Sequence, residues 1–119
     1  VDCKLIGCEF PESSIGNVTF ESSHLDWCTF SDSKLEKVLF KRSSLENADF
    51  YSCKFKEIVY DECKLNEAIF DETSLKGVDI STSEFRSLNV SLEALKGCQV
   101  SSHQAVQFAT LMGLIIKDQ

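Results

Sequence analysis

Positive charge is in short supply on this chain. Twelve Lys and Arg stand against nineteen Asp and Glu in 119 residues, a formal net charge of −7. Direct nucleic-acid binding is driven by neutralising phosphates with Lys and Arg, so this balance argues against it while leaving imitation of nucleic acid open. Metal and redox motifs are also missing. None of the six cysteines, Cys3, Cys8, Cys28, Cys53, Cys63 and Cys98, stands in a Cys-x-x-Cys pair, and neither His24 nor His103 is beside a cysteine, which removes the usual zinc and thiol-redox spacings. There is no glycine-rich phosphate loop and no nucleophile elbow. His24 has Asp26 nearby, but a lone outward His beside a carboxylate reads as surface decoration rather than half a triad. His103 reads as a surface residue at the start of a helix. No apolar run is long enough to span a membrane and no secretory leader is visible. These absences point away from an enzyme, from a metal or other cofactor, and from a membrane partner.

What is present is a beat of five. A large apolar residue returns at Leu5, Phe10, Ile15, Phe20, Leu25 and Phe30, then Leu35, Phe40, Leu45, Phe50, Phe55, Tyr60, Leu65 and Phe70, and on through Leu75, Ile80, Phe85, Val90, Leu95 and Val100. Helices return apolar residues at three and four, strands at two, so the chain must turn a corner once per repeat. Two places before each large residue stands a small or β-branched one, as at Cys8, Ser13, Val18, Ser23 and Cys28. Side chains two apart on an extended backbone point the same way, so this pair faces inward, the residue between faces outward, and the other two make the turn. A slower rhythm counts the sides. At a step of twenty, Phe10, Phe30, Phe50 and Phe70 fall in one column and Val18, Val38, Ile58 and Val78 in another, whereas a step of fifteen gives no column. Four repeats per turn make a square solenoid of about five coils, roughly 20 to 25 Å tall. The cysteines all occupy the small inward slot, where they read as buried free thiols serving as apolar fillers; Cys8 and Cys28 stack, but their parallel side chains disfavour a bridge. Reduced thiols in this number suit a cytoplasmic location. Because the chain opens at Val1 without an initiator Met or a capping segment, further upstream coils are expected.

Tandem five-residue units with a central Leu or Phe, preceded at two residues by Ala, Cys, Ser, Thr or Val, resemble the pentapeptide-repeat family. Its favoured Ala-Asp lead-in survives at Ala48-Asp49-Phe50. The resemblance implies an all-β solenoid, a right-handed quadrilateral β-helix.

Sorting outward residues by wall separates the charge. The wall built on Phe10, Phe30, Phe50 and Phe70 carries Glu9, Glu12, Asp32, Asp49, Asp71 and Glu72 without Lys or Arg. The next carries Lys34, Lys37, Lys54, Lys56, Lys76 and Lys96 against Glu36, Glu57 and Glu93. Elsewhere Lys41 and Arg42 are expected to pair across coils with Asp61 and Glu62. Leu39 and Val59 should stack as an outward apolar pair, and Trp27 and Tyr51 lie toward the acidic wall; these four form a candidate apolar contact.

The beat fails at Glu93, and Ser91 to Leu95 reads as a helical turn capped by Ser91, with Leu88, Leu92 and Leu95 on one side. From Ser102 the period is helical: Ala105, Phe108, Ala109, Leu111 and Met112 form an apolar face, and Gly113 stops the helix before Leu114, Ile115 and Ile116. Residues 1–101 are thus expected to form the β-helix and 102–119 a C-terminal α-helical cap and tail. The string from Gly97 to Val100, then Gln104-Ala105, then Leu111 to Ile116 resembles the C-terminal module of quinolone-resistance pentapeptide-repeat proteins. That resemblance implies a homodimer through Phe108, Leu111, Met112, Leu114, Ile115 and Ile116.

Two functions are in view. One is a non-enzymatic protein-binding scaffold. The other, implied by the resemblance, is a DNA mimic that binds type II topoisomerase (DNA gyrase) and modulates it or protects it from quinolones. Six carboxylates over roughly 20 Å give about one charge per 3 to 4 Å, against one per ~1.7 Å for duplex DNA.

Overall fold

The structure, a computed structural model, describes residues 7–10, 12–115 and 117; the expectations for Cys3, Leu5 and Ile116 lie outside these residues. Three eight-residue strands, β1 (Ser14–Glu21), β2 (Lys34–Lys41) and β3 (Lys54–Asp61), form a parallel sheet in the order β1-β2-β3, and a helix, α1 (Ser102–Leu111), follows. The register is the twenty-residue step: Ile15 pairs with Leu35 and Leu35 with Phe55, Val18 with Val38 and Val38 with Ile58. Single parallel bridges carry the same step on the other walls, through Glu9, Thr29, Asp49, Ile69 and Asn89 and through His24, Ser44, Lys64 and Glu84.

Each long strand contains a corner. Asn17, Lys37 and Glu57 have φ of 55°, 56° and 56° and drop out of the register pairs. A left-handed residue recurs at every fifth position from Gly7 to Gly77, two places after each large inward residue. Where the corner is a closed turn, the next inward N–H donates back three residues, from Ala48 to Leu45 O (3.1 Å) and from Ala68 to Leu65 O (3.0 Å), as a turn with positive φ at its third residue requires. Most of these corners are not glycine, at a cost of roughly 1–2 kcal/mol each. Gly97 is a corner that favours glycine: its φ is 80° and a Cβ would stand 2.9 Å from Lys76 Cγ, so the Lys76 side chain would have to shift.

The inward residues stack as the pitch dictates. Phe10, Phe30, Phe50 and Phe70 form one column with ring centroids 5.1, 4.9 and 5.3 Å apart and nearly parallel planes. Phe20, Phe40 and Tyr60 form another at 5.2 and 4.9 Å. The columns meet edge to face, as at Phe40 and Phe50, 6.0 Å apart and 80° between planes, so both favoured aromatic geometries are used. Phe30, Phe40, Phe50, Tyr60 and Phe70 are all fully buried.

In two of the small columns the side chains bind backbone. Ser33, Ser43, Thr73 and Ser83 each donate a hydroxyl to the carbonyl of a large residue one coil below, Ser33 to Phe10 O at 2.8 Å and Ser83 to Tyr60 O at 2.7 Å. The same oxygens accept backbone N–H groups, as Ser43 Oγ does from Ser23 N at 3.1 Å. Cys53 and Cys63 stand in these columns and their thiols donate to Phe30 O (2.8 Å) and Phe40 O (3.1 Å). They are hydroxyl substitutes rather than apolar fillers, which corrects the sequence-based expectation. Burial pushes both thiols up to about 11, so near neutral pH they stay protonated and poorly nucleophilic.

Above Gly77 the coil changes. Asn47 N–H donates to Asn66 O, but Glu67, one coil on, donates to Ser87 O rather than to Arg86. The turn capped by Ser91 forms, with Ala94 N–H on Ser91 Oγ at 3.1 Å. Its expected apolar side does not: Leu92 is 68% exposed and Ala94 takes the inward place at 6%. That lifts Glu93 into solvent beside Lys96, at 3.3 Å.

Helix α1 begins with a capping box, Ser101 Oγ accepting from Gln104 N and Gln104 Oε1 from Ser101 N. Its buried residues are Gln104 and Phe108. Of the expected face of Ala105, Phe108, Ala109, Leu111 and Met112, Phe108 alone is therefore buried, while Ala105, Leu111 and Met112 are exposed and Gln104 takes the other inward place. The reason is polar. The last regular coil leaves carbonyls without a coil above, and Gln104 Nε2 donates to Ile80 O (2.6 Å) and Ser83 O (2.7 Å) while Gln107 Nε2 donates to Phe85 O (2.7 Å). Satisfying buried carbonyls outweighs presenting two alanines to the core.

Candidate functional site: an acidic wall

The wall backed by the Phe10 column runs from a corner at positions 7, 27, 47 and 67 to one at 12, 32, 52 and 72. Glu9 and Asp49 share the central column with Thr29 and Ile69. Glu12, Asp32, Asp71 and Glu72 project along one corner, all exposed. The opposite corner adds carboxylates that counting by wall missed, Asp26, Glu46 and Glu67. A wall read together with both its corners would have found them.

The result is nine carboxylates, Glu9, Glu12, Asp26, Asp32, Glu46, Asp49, Glu67, Asp71 and Glu72, with no Lys or Arg in segments 7–12, 26–32, 46–52 and 66–72. Four coils at ~4.8 Å span roughly 19 Å, so the density is about one charge per 2 Å, close to the ~1.7 Å of duplex DNA. The expected value of one per 3 to 4 Å is thereby corrected. Two of these carboxylates also hold the wall's backbone. Asp26 Oδ1 accepts from Glu46 N at 2.9 Å and from the Ser44 hydroxyl, and Asp49 Oδ1 accepts from Tyr51 N at 2.9 Å. The Ser44 hydroxyl is thus turned to Asp26 and not to His24, its neighbour in the column.

Trp27 and Tyr51 stand at opposite margins of this wall, 63% and 45% exposed. Leu39 and Val59 do stack, in register on β2 and β3, but on a different wall, so the candidate apolar contact divides in two. On the basic wall Lys34 stacks on Lys54, and Lys56 pairs with Glu36 at 3.7 Å. Arg42 does not pair upward with Glu62: its guanidinium bonds Glu21 on the coil below.

At the C-terminal end the expected interface residues separate. Phe108 is a core residue, 7% exposed, its ring 5.0 Å from that of Phe85. Leu111, Met112, Leu114 and Ile115 are exposed by 46%, 44%, 61% and 92%, and Val106, not foreseen, by 48%. An open groove of about 660 Å³ lies where α1 leaves the coil, lined by residues that include Lys64, Glu84, Arg86, His103 and Gln107. Among the described residues no group of three or more His, Cys, Asp or Glu is placed to hold a metal ion, and no helix is long and apolar enough to cross a membrane.

Residues 1–70 match the family model described as the pentapeptide repeat region. This chain belongs to the pentapeptide-repeat family. Of solved structures, the pentapeptide repeat protein of the Arabidopsis thaliana thylakoid lumen is similar at a TM-score of 0.64 and 18% identity, over 83% of this chain and 76% of that one. Rfr23 of the cyanobacterium Cyanothece 51142 gives 0.36 and 13%, over 83% and 88%. QnrB1, a plasmid-mediated fluoroquinolone resistance protein, gives 0.29 and 12%, over 95% and 98%. No curated protein matches the sequence. For this pentapeptide-repeat chain the likeness establishes the fold, and the reading of function rests on the wall itself.

Proposed function

We propose that this protein is a non-enzymatic protein-binding scaffold whose recognition surface is the acidic wall. The supporting observation is nine carboxylates on one wall and its corners, with no cation among them over four coils, Arg86 standing at the same corner on the next coil. Such a surface repels nucleic acid and fits a partner's basic groove. In this reading the coils close as a right-handed quadrilateral β-helix over residues 1–101, residues 102–119 form its cap and dimerisation module, and the protein works in the cytoplasm without cofactor or membrane.

A second reading is favoured by the charge density: at about one charge per 2 Å, the wall suits a DNA mimic that occupies the DNA groove of a type II topoisomerase such as DNA gyrase. Supercoiling by gyrase, with and without a quinolone, tests it. Added protein is expected to inhibit supercoiling or restore it in the presence of drug, and the triple reversal Asp32→Lys, Asp49→Lys, Asp71→Lys is expected to abolish the effect. No effect of the wild type at micromolar excess removes the topoisomerase reading and leaves the scaffold.

The exposed residues Leu111, Met112, Leu114 and Ile115 are the proposed homodimer surface. Light scattering is expected to give twice the chain mass for the wild type and the single mass for a Leu114→Asp, Ile115→Asp variant. A monomeric wild type would retire the dimer.

A further inference from the structure

Among the positive-φ corners from Gly7 to Gly77, Trp27 is the sole apolar residue and the largest, at φ 64°. The left-handed region disfavours bulky side chains, and the fold recovers little from this one, because the indole is 63% exposed. Its neighbours at the twenty-residue step are Gly7, which offers no side chain, and Asn47. Tyr51 stands at the other margin of the wall one coil up, 45% exposed, its backbone N–H fixed by Asp49 Oδ1 at 2.9 Å. Two large rings thus frame a surface otherwise given to carboxylates.

The chemistry of such a frame selects its occupant. A nucleobase would stack on either ring, but its phosphates would meet the carboxylates. An apolar segment would find two separate rings at opposite margins rather than one continuous patch. A cation is drawn both by the electron-rich ring faces and by the carboxylates around them. Of the two cationic side chains, arginine fits better, because a planar guanidinium can stack on a ring while its edge pairs with a carboxylate, which an ammonium cannot do.

We propose that Trp27 and Tyr51 are the anchor residues of the acidic wall, each taking an arginine side chain from a basic protein partner, and that they make the wall select arginine over lysine. The inference rests on the acidic wall being the binding surface and adds to it a specificity.

Trp27 is the single tryptophan of the chain, so its emission reports contact directly. Oligoarginine and oligolysine peptides of equal length serve as probes, with affinities measured by calorimetry. The wild type is expected to bind oligoarginine several-fold more tightly than oligolysine, with a change in Trp27 emission. Trp27→Asn puts a residue that tolerates the left-handed corner in its place, so its melting curve should match the wild type. It is expected to lose roughly tenfold in affinity for oligoarginine and little for oligolysine. Asp32→Lys with Asp71→Lys is expected to weaken both peptides alike, which isolates the wall from the anchors. Undiminished binding of oligoarginine by Trp27→Asn would overturn the anchor while leaving the wall. Failure of the wild type to bind either peptide would overturn both.

Discussion

Phe50→Ala is expected to cost roughly 4 kcal/mol of stability, read as a lowered midpoint in chemical denaturation. Phe50 is fully buried and stands at the middle of its column, stacked on Phe30 at 4.9 Å and Phe70 at 5.3 Å. It also meets Phe40, Phe55 and Tyr60 edge to face, at 6.0, 5.7 and 5.9 Å. Truncation leaves a cavity that a ladder fixed by backbone hydrogen bonds on both sides cannot close. The arrangement compounds the loss, because in a solenoid each coil contacts only its neighbours and an emptied storey weakens both interfaces. A measured cost below about 1 kcal/mol would mean that the column does not carry the stack, since a truncated core phenylalanine ordinarily costs 3–5.

Tyr60→Phe is expected to act in the opposite direction and stabilise the protein by about 1–2 kcal/mol, within the range for relieving one buried unsatisfied polar group. Tyr60 is fully buried and its hydroxyl has no hydrogen-bond partner among the described residues. Burial raises its ionisation well above the usual tyrosine value, with the thiols of Cys53 and Cys63 as smaller contributors. The shape at that place already suits phenylalanine, because Phe40 occupies the same column one coil below with its ring 4.9 Å away and nearly parallel. Thermal denaturation of the two proteins decides it: a higher melting temperature for the variant supports the account, and a lower one would mean that the hydroxyl is satisfied.

Much of the fold was legible because one physical rule repeats. A large residue every fifth place, and like residues every twentieth, lie inward together when the chain turns a corner every five residues and repeats its register every twenty, and the ring columns and parallel register follow from that. The left-handed corners were not legible: Asn17, Lys37 and Trp27 share no chemistry that announces positive φ, and the conformation is imposed by the coil rather than chosen by the residue. The hydroxyl columns were visible as small residues, but knowing that Ser33 and Cys53 bind backbone requires knowing which carbonyls the corner leaves open. Helix α1 misled for a related reason. Ala105 and Ala109 outrank glutamine on any apolar scale, yet Gln104 goes inward because the end of a β-coil presents carbonyls, not only hydrocarbon.

The candidate site divides the same way. That the Phe10 wall is acidic could be read from Glu9, Asp32, Asp49 and Asp71, but Asp26, Glu46 and Glu67 were not counted with it because a corner belongs to two walls at once. Phe108 was placed at an interface because its spacing matched Leu111 and Met112, whereas its contact with Phe85 puts it in the core. Such contacts join residues far apart in sequence and outside the twenty-residue rule.

The twenty-residue step creates both the filled interior and the charged wall, and backbone nuclear Overhauser contacts along that wall test it most directly. The N–H groups of Thr29, Asp49 and Ile69 donate to Cys8 O, Cys28 O and Ala48 O at 2.8, 2.9 and 2.9 Å. Contacts from each of these amides to the α-protons of the residues they face are therefore predicted, in one unbroken series up the wall. A series stepping by fifteen residues, or one that skips Asp49, would contradict the account and disperse the carboxylates it gathers.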